Sequence, residues 1–378
     1  MLSKSLISTL YSLILTIVLP LLFYLSLLEL NKFHEGIKMM NSISHLASWG
    51  QIYTIFGVFM VALITGIYFR GLGVRIFDKV AQIDRQLYNL GIPISYRGCQ
   101  RELSLQLMIL IIIPAGASMC LCAMISGLHE KGFELNLRLC YWFICFTPIL
   151  LITLKEFQYY NLVRLIKNKV LALNRSLKKL VKWENIEGQH HKEMKLKIIK
   201  THLESFRLIH SDIVDLTKDV QAFFGPFILV SVISAFGVIT IQLYYIFATL
   251  IQTLHFNIPM TVITLIWTAT QALLILANVH ICSSTRNVCN EIGGTLITIR
   301  EAVEHPEIFH IVQLFSFQLW HKKIQFSACG FFRLDSKLIT SIVAAVTTYL
   351  VLMIQFHLSN NENTLSKCNE GDASNGTM

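Results

Sequence analysis

Thr348, Tyr349 and Gln355 place two hydroxyls and an amide inside the run Thr348-Tyr349-Leu350-Val351-Leu352-Met353-Ile354-Gln355-Phe356, whose other residues suit a lipid environment. An unpaired polar group in hydrocarbon is costly, so these groups call for a partner or for water. At about 100° per residue, Ser341, Thr348 and Gln355 recur every seven residues on one helical stripe, with Ala344, Ala345 and Leu352 on or near it. The other face carries Ile339, Val343, Val346, Leu350 and Ile354. Two chemistries fit this pattern. The polar groups can be glue between membrane helices. Alternatively, several copies arranged around an axis can line a conduit, in which the Gln355 amide oxygen meets a partly dehydrated cation and the bulky Phe356 closes a constriction by dewetting.

Elsewhere the residue types that carry chemistry lack the spacing for it. His45, His129, His255 and His280 sit near the ends of apolar stretches, without paired carboxylates or a metal-ligand spacing such as His-Glu-x-x-His. The nine cysteines are scattered, and no pair has zinc-binding spacing with histidines to match. No apolar stretch contains Asp, Glu or Lys in its interior, which argues against proton pumps and ion-coupled transporters. The reading is therefore of a protein that is not an enzyme and needs neither a metal nor a cofactor.

The elements that must position the polar stripe follow from hydropathy. A hydrophobic share of 54% and a charged share of 15%, with a mean hydropathy of +0.57, depart from soluble domains, in which charged residues are about 25%. Stretches of about 20 apolar residues occur seven times: Leu6–Leu28, Trp49–Phe69, Leu103–Ile125, Leu137–Leu154, Phe223–Leu250, Pro259–Ile281 and Leu338–Leu358. The fourth contains Pro148 and spans if Arg138 snorkels to the interface. The first is too long for the core of a secretory signal and is expected to be retained as an anchor helix. The fold class is thus all-α, a polytopic membrane protein with seven transmembrane helices.

Charge sets the expected orientation. With the N-terminus inside, the inner segments hold 27 of the 32 Lys and Arg residues and the outer ones hold 5, as the positive-inside rule requires. The N-terminus is expected in the cytoplasm and the C-terminus outside, the reverse of a G-protein-coupled receptor. The net charge of +9 belongs to loops beside anionic lipid and implies no nucleic acid.

The inner loop over residues 155–222 is patterned as two helices. Leu162, Leu165, Ile166, Val170, Leu173, Leu177 and Leu180 form one stripe. After a polar turn from Glu184 to Lys192, a second stripe runs through Leu196, Ile199, Leu203, Phe206, Ile209, Ile213, Leu216 and Val220. The fourth and fifth spans are expected to continue into the cytosol as long helices packed on one another. The pattern also fits a calmodulin target or a helix lying on the membrane surface. A third stripe, Val288, Ile292, Leu296 and Ile299, follows the sixth span. The expected organisation is a ligand-sensing bundle over 1–281, an anchor segment and last helix over 282–358, and a polar outer tail over 359–378.

The Thr-Tyr, five apolar residues, Gln-Phe spacing of Thr348 to Phe356 resembles the signature that closes insect gustatory receptors. Ala328, Gly330-Phe331-Phe332 and Leu334-Asp335 resemble that family's segment before the pore helix, with Gly330 allowing the chain to turn. The resemblance implies a tetrameric, ligand-gated cation channel whose last helices surround a central pore and whose cytoplasmic extensions make the main subunit contacts. It implies Gln355 and Phe356 as the gate, with Thr348, Tyr349 and Leu352 as pore-helix positions supporting it. It implies a small-molecule tastant as ligand, permeating cations, lipid contact, assembly as a homotetramer or with other gustatory receptors, and the plasma membrane of gustatory receptor neurons.

The family's pocket opens outward between the second and sixth spans, which implies candidates on the outer halves of these helices. They are Tyr53, Met124, Tyr141 and Trp142 in the earlier spans, and Tyr244, Tyr245, Thr264, Trp267, Thr268 and Gln271 in the fifth and sixth. Their aromatic and hydroxyl groups suit apolar or amphipathic ligands, although aromatic belts place the same residues at these depths. Receptors of the main sweet-taste subfamily carry Glu after the Thr-Tyr pair, whereas this chain has Leu350, so a bitter or other non-sugar tastant is expected. Two alternatives stand beside the channel: a metabotropic seven-span receptor signalling through the basic inner loop, and an accessory subunit that binds no tastant itself.

Overall fold

The computed structural model describes residues 14, 17–25, 28, 42–92, 101–108, 112, 116, 135–184, 192–251, 258–303 and 305–375, with backbone alone at 42–48, 135–145, 181–184, 192, 249, 251, 258–260 and 360–375. Almost all of it is helical. The named helices are α1 Ser42–Tyr68, α2 Arg70–Asn89, α3 Leu135–Glu184, α4 Lys192–Ile251, α5 Ile258–Ala302, α6 Pro306–His321 and α7 Ser336–Asn375. Residues 17–25 and 101–108 are also helical. Among the described residues, apolar stretches long enough to cross a membrane lie in Trp49–Tyr68, Glu193–Ala248, Thr261–Ala302 and Ser336–Ser359. The expected span Leu137–Leu154 is the first part of α3. Leu6–Leu28 and Leu103–Ile125 lie partly outside the described residues.

The basic end of the molecule is built by the three stripes read in the sequence. On α3, Val163, Ile166, Val170, Leu173 and Leu177 are completely buried. On α4, Ile199, Leu203, Phe206, Ile209, Ile213, Leu216 and Val220 follow one another at steps of three or four residues and are all buried, the pattern by which a helix keeps one seam facing its neighbours. On α5, Val288, Ile292, Leu296 and Ile299 complete the same core. The arrangement differs in one respect from a self-contained hairpin: α3 packs most extensively on α5, and also on α4 and α1. Three converging stripes bury more apolar surface than two facing ones. The polar turn expected between Glu184 and Lys192 falls between the end of α3 and the start of α4, and residues 185–191 lie outside the described residues.

Polar contacts cross-link this bundle. Asp219 of α4 receives Arg75 at 2.7 Å and Lys79 at 2.6 Å, both from α2. Lys169, fully buried on α3, pairs with Asp84 of α2. Burial lowers the Lys169 pKa, against the pull of the Asp84 carboxylate. Thr295 of α5 donates to the Asn174 side-chain oxygen at 2.8 Å. Helix α6 docks through Ile308, Ile311, Val312 and Phe315, with His305 capping its first turn.

Candidate functional site

Helix α7 is launched by a short hairpin. Ser327–Ala328 pairs antiparallel with Phe332–Arg333, and the loop between them holds Cys329 at φ 50° and Gly330 at φ 81°. Gly330 adopts the left-handed conformation at no steric cost, as its place before the helix suggests. The hairpin sits on Gly225 of α4, where an added Cβ would lie 3.3 Å from the Cys329 sulfur. Asp335 then caps α7: its Oδ1 accepts from the Lys337 backbone N–H at 3.1 Å, the standard use of an N-cap carboxylate. Its Oδ2 lies 3.7 Å from Arg286 of α5, joining the start of α7 to the basic bundle.

Along α7 the hydroxyls satisfy themselves. Ser341 donates to the Lys337 carbonyl at 3.0 Å and Thr348 to the Ala344 carbonyl at 2.9 Å. Each donor proton is thereby used within the helix, leaving oxygen lone pairs toward the outside of the helix. Ser341, Thr348 and Gln355 are exposed on the single chain, as are Tyr349, Leu352 and Phe356, the last at 69%. The packed stripe is instead Ile339, Ile342, Val346 and His357. Val343, on the aliphatic face opposite the polar stripe, is 59% exposed; the helix meets the core through its Ile342 and Val346 side. The Tyr349 ring meets Phe236 of α4 edge-on at 5.7 Å. The helix also runs on to Asn375, through the segment expected to be a polar tail; its residues 359–370 contain neither Pro nor Gly to stop helix propagation.

Of the expected pocket residues, six lie on α4 and α5, which pack on each other. The Thr268 hydroxyl stands 2.7 Å from the Gln242 side-chain oxygen and 2.8 Å from the Thr264 carbonyl, and both Thr268 and Gln242 are buried. Tyr245, Thr264, Trp267 and Gln271 are half-buried. Tyr244 is buried, and its hydroxyl lies 3.0 Å from His357 Nδ1 on α7. Tyr53, on α1, is exposed beside Trp49. Met124 lies outside the described residues, and at Tyr141 and Trp142 the backbone alone is described.

Three buried polar residues escaped the sequence reading. His357 lies eleven residues, about three helical turns, from Val346 and so shares its face. Lys155 and Glu156 follow directly on the fourth expected span. Lys155 Nζ donates to the Ala62 carbonyl and to Thr65 Oγ1, each at 2.6 Å, and lies 5.4 Å from the Phe227 ring centre. Glu156 accepts from Ser231 of α4. Two adjacent charges after an apolar run mark its end in sequence; their burial depends on which helices meet them there. Among the described residues, no group of three or more His, Cys, Asp or Glu side chains is placed to hold a metal ion.

A family-level profile described as 7tm chemosensory receptor matches residues 2–360. The chain is 28% identical over 263 residues to putative gustatory receptor 2a of Drosophila melanogaster, covering 61% of this chain and 59% of that receptor. The match to gustatory receptor for bitter taste 66a of the same species is 26% identical and covers 43% of this chain and 31% of that one. The match to gustatory receptor for sugar taste 43a is 30% identical and covers 26% and 23%. The chain thus spans less than two thirds of the length of these relatives. In structure it is similar to the insect olfactory receptor OR5 from Machilis hrabei in complex with eugenol, with a TM-score of 0.57 at 11% identity, covering 89% of this chain and 88% of that one. That likeness speaks for the fold alone.

Proposed function

The chain belongs to the 7tm chemosensory receptor family, and on that premise we propose that it is a gustatory receptor, a subunit of a ligand-gated cation channel in the plasma membrane. The observation that carries the proposal is the face of α7. Thr348 and Gln355 are exposed on a helix that the rest of the chain holds along one stripe, with Phe356 beside them. A polar face turned away from its own bundle is inexpensive if it lines water between several copies. In this reading Gln355 and Phe356 form the gate, Thr348, Tyr349 and Leu352 support it, and four subunits, identical or mixed, surround the pore.

The N-terminus is inside, which puts the basic bundle of α2 to α6 in the cytoplasm as the anchor between subunits. The tastant enters from outside, against the α4 and α5 residues Tyr245, Thr264, Trp267, Thr268 and Gln271, and must favour the open arrangement over the closed one. Leu350 after the Thr-Tyr pair supports a bitter or other non-sugar ligand. The cell would be a gustatory receptor neuron.

Whole-cell recording tests this, with G-protein signalling blocked and a panel of bitter compounds and sugars applied. The expected result is a prompt cation current whose ion selectivity or conductance changes in Gln355→Ala. Responses abolished by the block would overturn the channel in favour of a metabotropic receptor. A Gln355→Ala current identical to the parent's in selectivity and conductance would leave the amide as helix glue.

A further inference from the structure

Residues two apart on an α-helix point about 200° from each other. On α4, Gln242 and Tyr244 are so related. Gln242 meets Thr268 of α5 at 2.7 Å, while Tyr244 reaches the other way, its hydroxyl 3.0 Å from His357 Nδ1 on α7. On α7, Gln355 and His357 are related in the same way. Gln355 is exposed, and His357 is turned into the bundle. The Tyr244 and His357 rings meet edge-on at 5.9 Å.

The surroundings make this contact selective. Residues 220–251 of α4 and 338–361 of α7 contain no Asp, Glu, Lys or Arg, so no charged side chain on either helix competes for the two groups. A hydrogen bond between two buried groups is costly to break, since the Tyr244 hydroxyl must then find another partner or remain unsatisfied. The bond therefore holds α7 at one rotation about its axis, and that rotation decides where Gln355 and Phe356 point.

We propose that the Tyr244–His357 hydrogen bond is a gate-positioning contact, which sets the rotation of α7 and ties it, through α4 and the Gln242–Thr268 bond, to the wall proposed to receive the tastant. It rests on the channel reading for its purpose, but its geometry can be tested without a current. In the full-length receptor at the cell surface, a Gln355→Cys reporter is labelled with a membrane-impermeant thiol reagent, and labelling is normalised to surface protein and to a parent lacking the reporter. Tyr244→Phe and His357→Phe each remove the bond while keeping a ring in place. Each is expected to change the labelling rate in the same direction, by about threefold to tenfold for an interhelical hydrogen bond. The double variant should change it no further than the larger single effect, and His357→Gln, which keeps a hydrogen-bonding group, should label at the parent rate.

A general loss of packing would lower surface yield without this non-additivity or rescue. Unchanged rates, or single effects that multiply in the double variant, would overturn the proposal. A shared labelling change in a receptor that passes no current would uphold the contact and count against the channel reading instead.

Discussion

The basic bundle and α7 are both made from helices with an apolar stripe, yet they end in opposite situations. In the bundle the stripes of α3, α4 and α5 converge, and Leu173, Leu203 and Leu296 lose all contact with solvent. On α7 the buried residues among the described side chains are Val346 and His357, and the Thr348–Gln355 face remains open. The bundle closes an apolar core within one chain, although Ile297, Phe317 and Trp320 stay exposed on its outside, whereas the exposed face of α7 is left to lipid, water or other subunits. The difference is one of attachment: the bundle is fixed along whole seams, whereas α7 is fixed at few points, so that few contacts need break for it to turn.

The sharpest way to break that comparison is to remove volume from each side. Leu203→Ala should destabilise the solubilised receptor by about 2–5 kcal/mol, the cost of an unrelaxed cavity in a closed core. Leu352→Ala, half exposed on α7, should leave the melting temperature nearly unchanged. Equal losses of thermal stability in the two variants would mean that α7 is as firmly packed as the bundle.

Next in size is Asp219, which is nearly buried and holds Arg75 and Lys79 of α2 on α4. Asp219→Asn removes the charge while keeping the shape. It should cost about 1–3 kcal/mol, the range for leaving buried partners unsatisfied, reduced here because Arg75 is largely exposed. A melting curve that does not move would show α2 to be held by Ile76, Ile83 and Leu87 and the Lys169–Asp84 pair, without help from Asp219.

Features within one chain differ in how far its sequence discloses them. The stripe containing Leu203 was readable because burial repeats with the period of its own helix, and so were the third stripe on α5 and the turn at Gly330. The positions of His357, Lys155 and Glu156 were not. Their burial is decided by the faces that α1, α4 and α7 present to one another, which no single-helix pattern encodes. The same holds within the candidate site. The polar stripe Ser341, Thr348 and Gln355 could be read from spacing, but the rotation that exposes Val343 and buries His357 is set by α4. Tyr244, expected among the ligand-facing residues, has its hydroxyl at His357 of α7, a partner that no pattern within α4 announces.

The bundle also predicts a pH dependence. His210 is completely buried against the Phe315 ring, with Gln318 Nε2 at 3.2 Å from its Nδ1 and Cys289 Sγ at 3.5 Å from its Nε2. Gln318 has protons to give, so Nδ1 accepts and Nε2–H donates to the thiol. Burial, and to a lesser degree Lys322, pushes the His210 pKa down from 6.5 to about 4. Between these values the unfolded chain binds the proton and the folded one does not. Stability is therefore full above about pH 6.5 and falls as the pH is lowered toward 4, by up to about 1.4 kcal/mol per pH unit. His210→Gln should flatten that part of the profile, and an unchanged slope would assign the acid sensitivity to other groups.

The smallest effect should come from the rim of the same bundle. Lys200 Nζ of α4 lies 2.9 Å from Glu307 of α6, and both side chains are well exposed. Water screens such a pair, and holding two long side chains together costs entropy, so most of the Coulomb attraction is lost. Lys200→Ala should leave the melting temperature unresolved from the parent at physiological salt, even though it removes a direct link between α4 and α6. Helix α6 is held instead by Ile308, Ile311, Val312 and Phe315, whose burial salt does not screen. A clear destabilisation, diminishing as salt is raised, would show that charge at the rim carries part of the stiffness assigned here to the apolar seam, and would narrow the contrast between the bundle and α7.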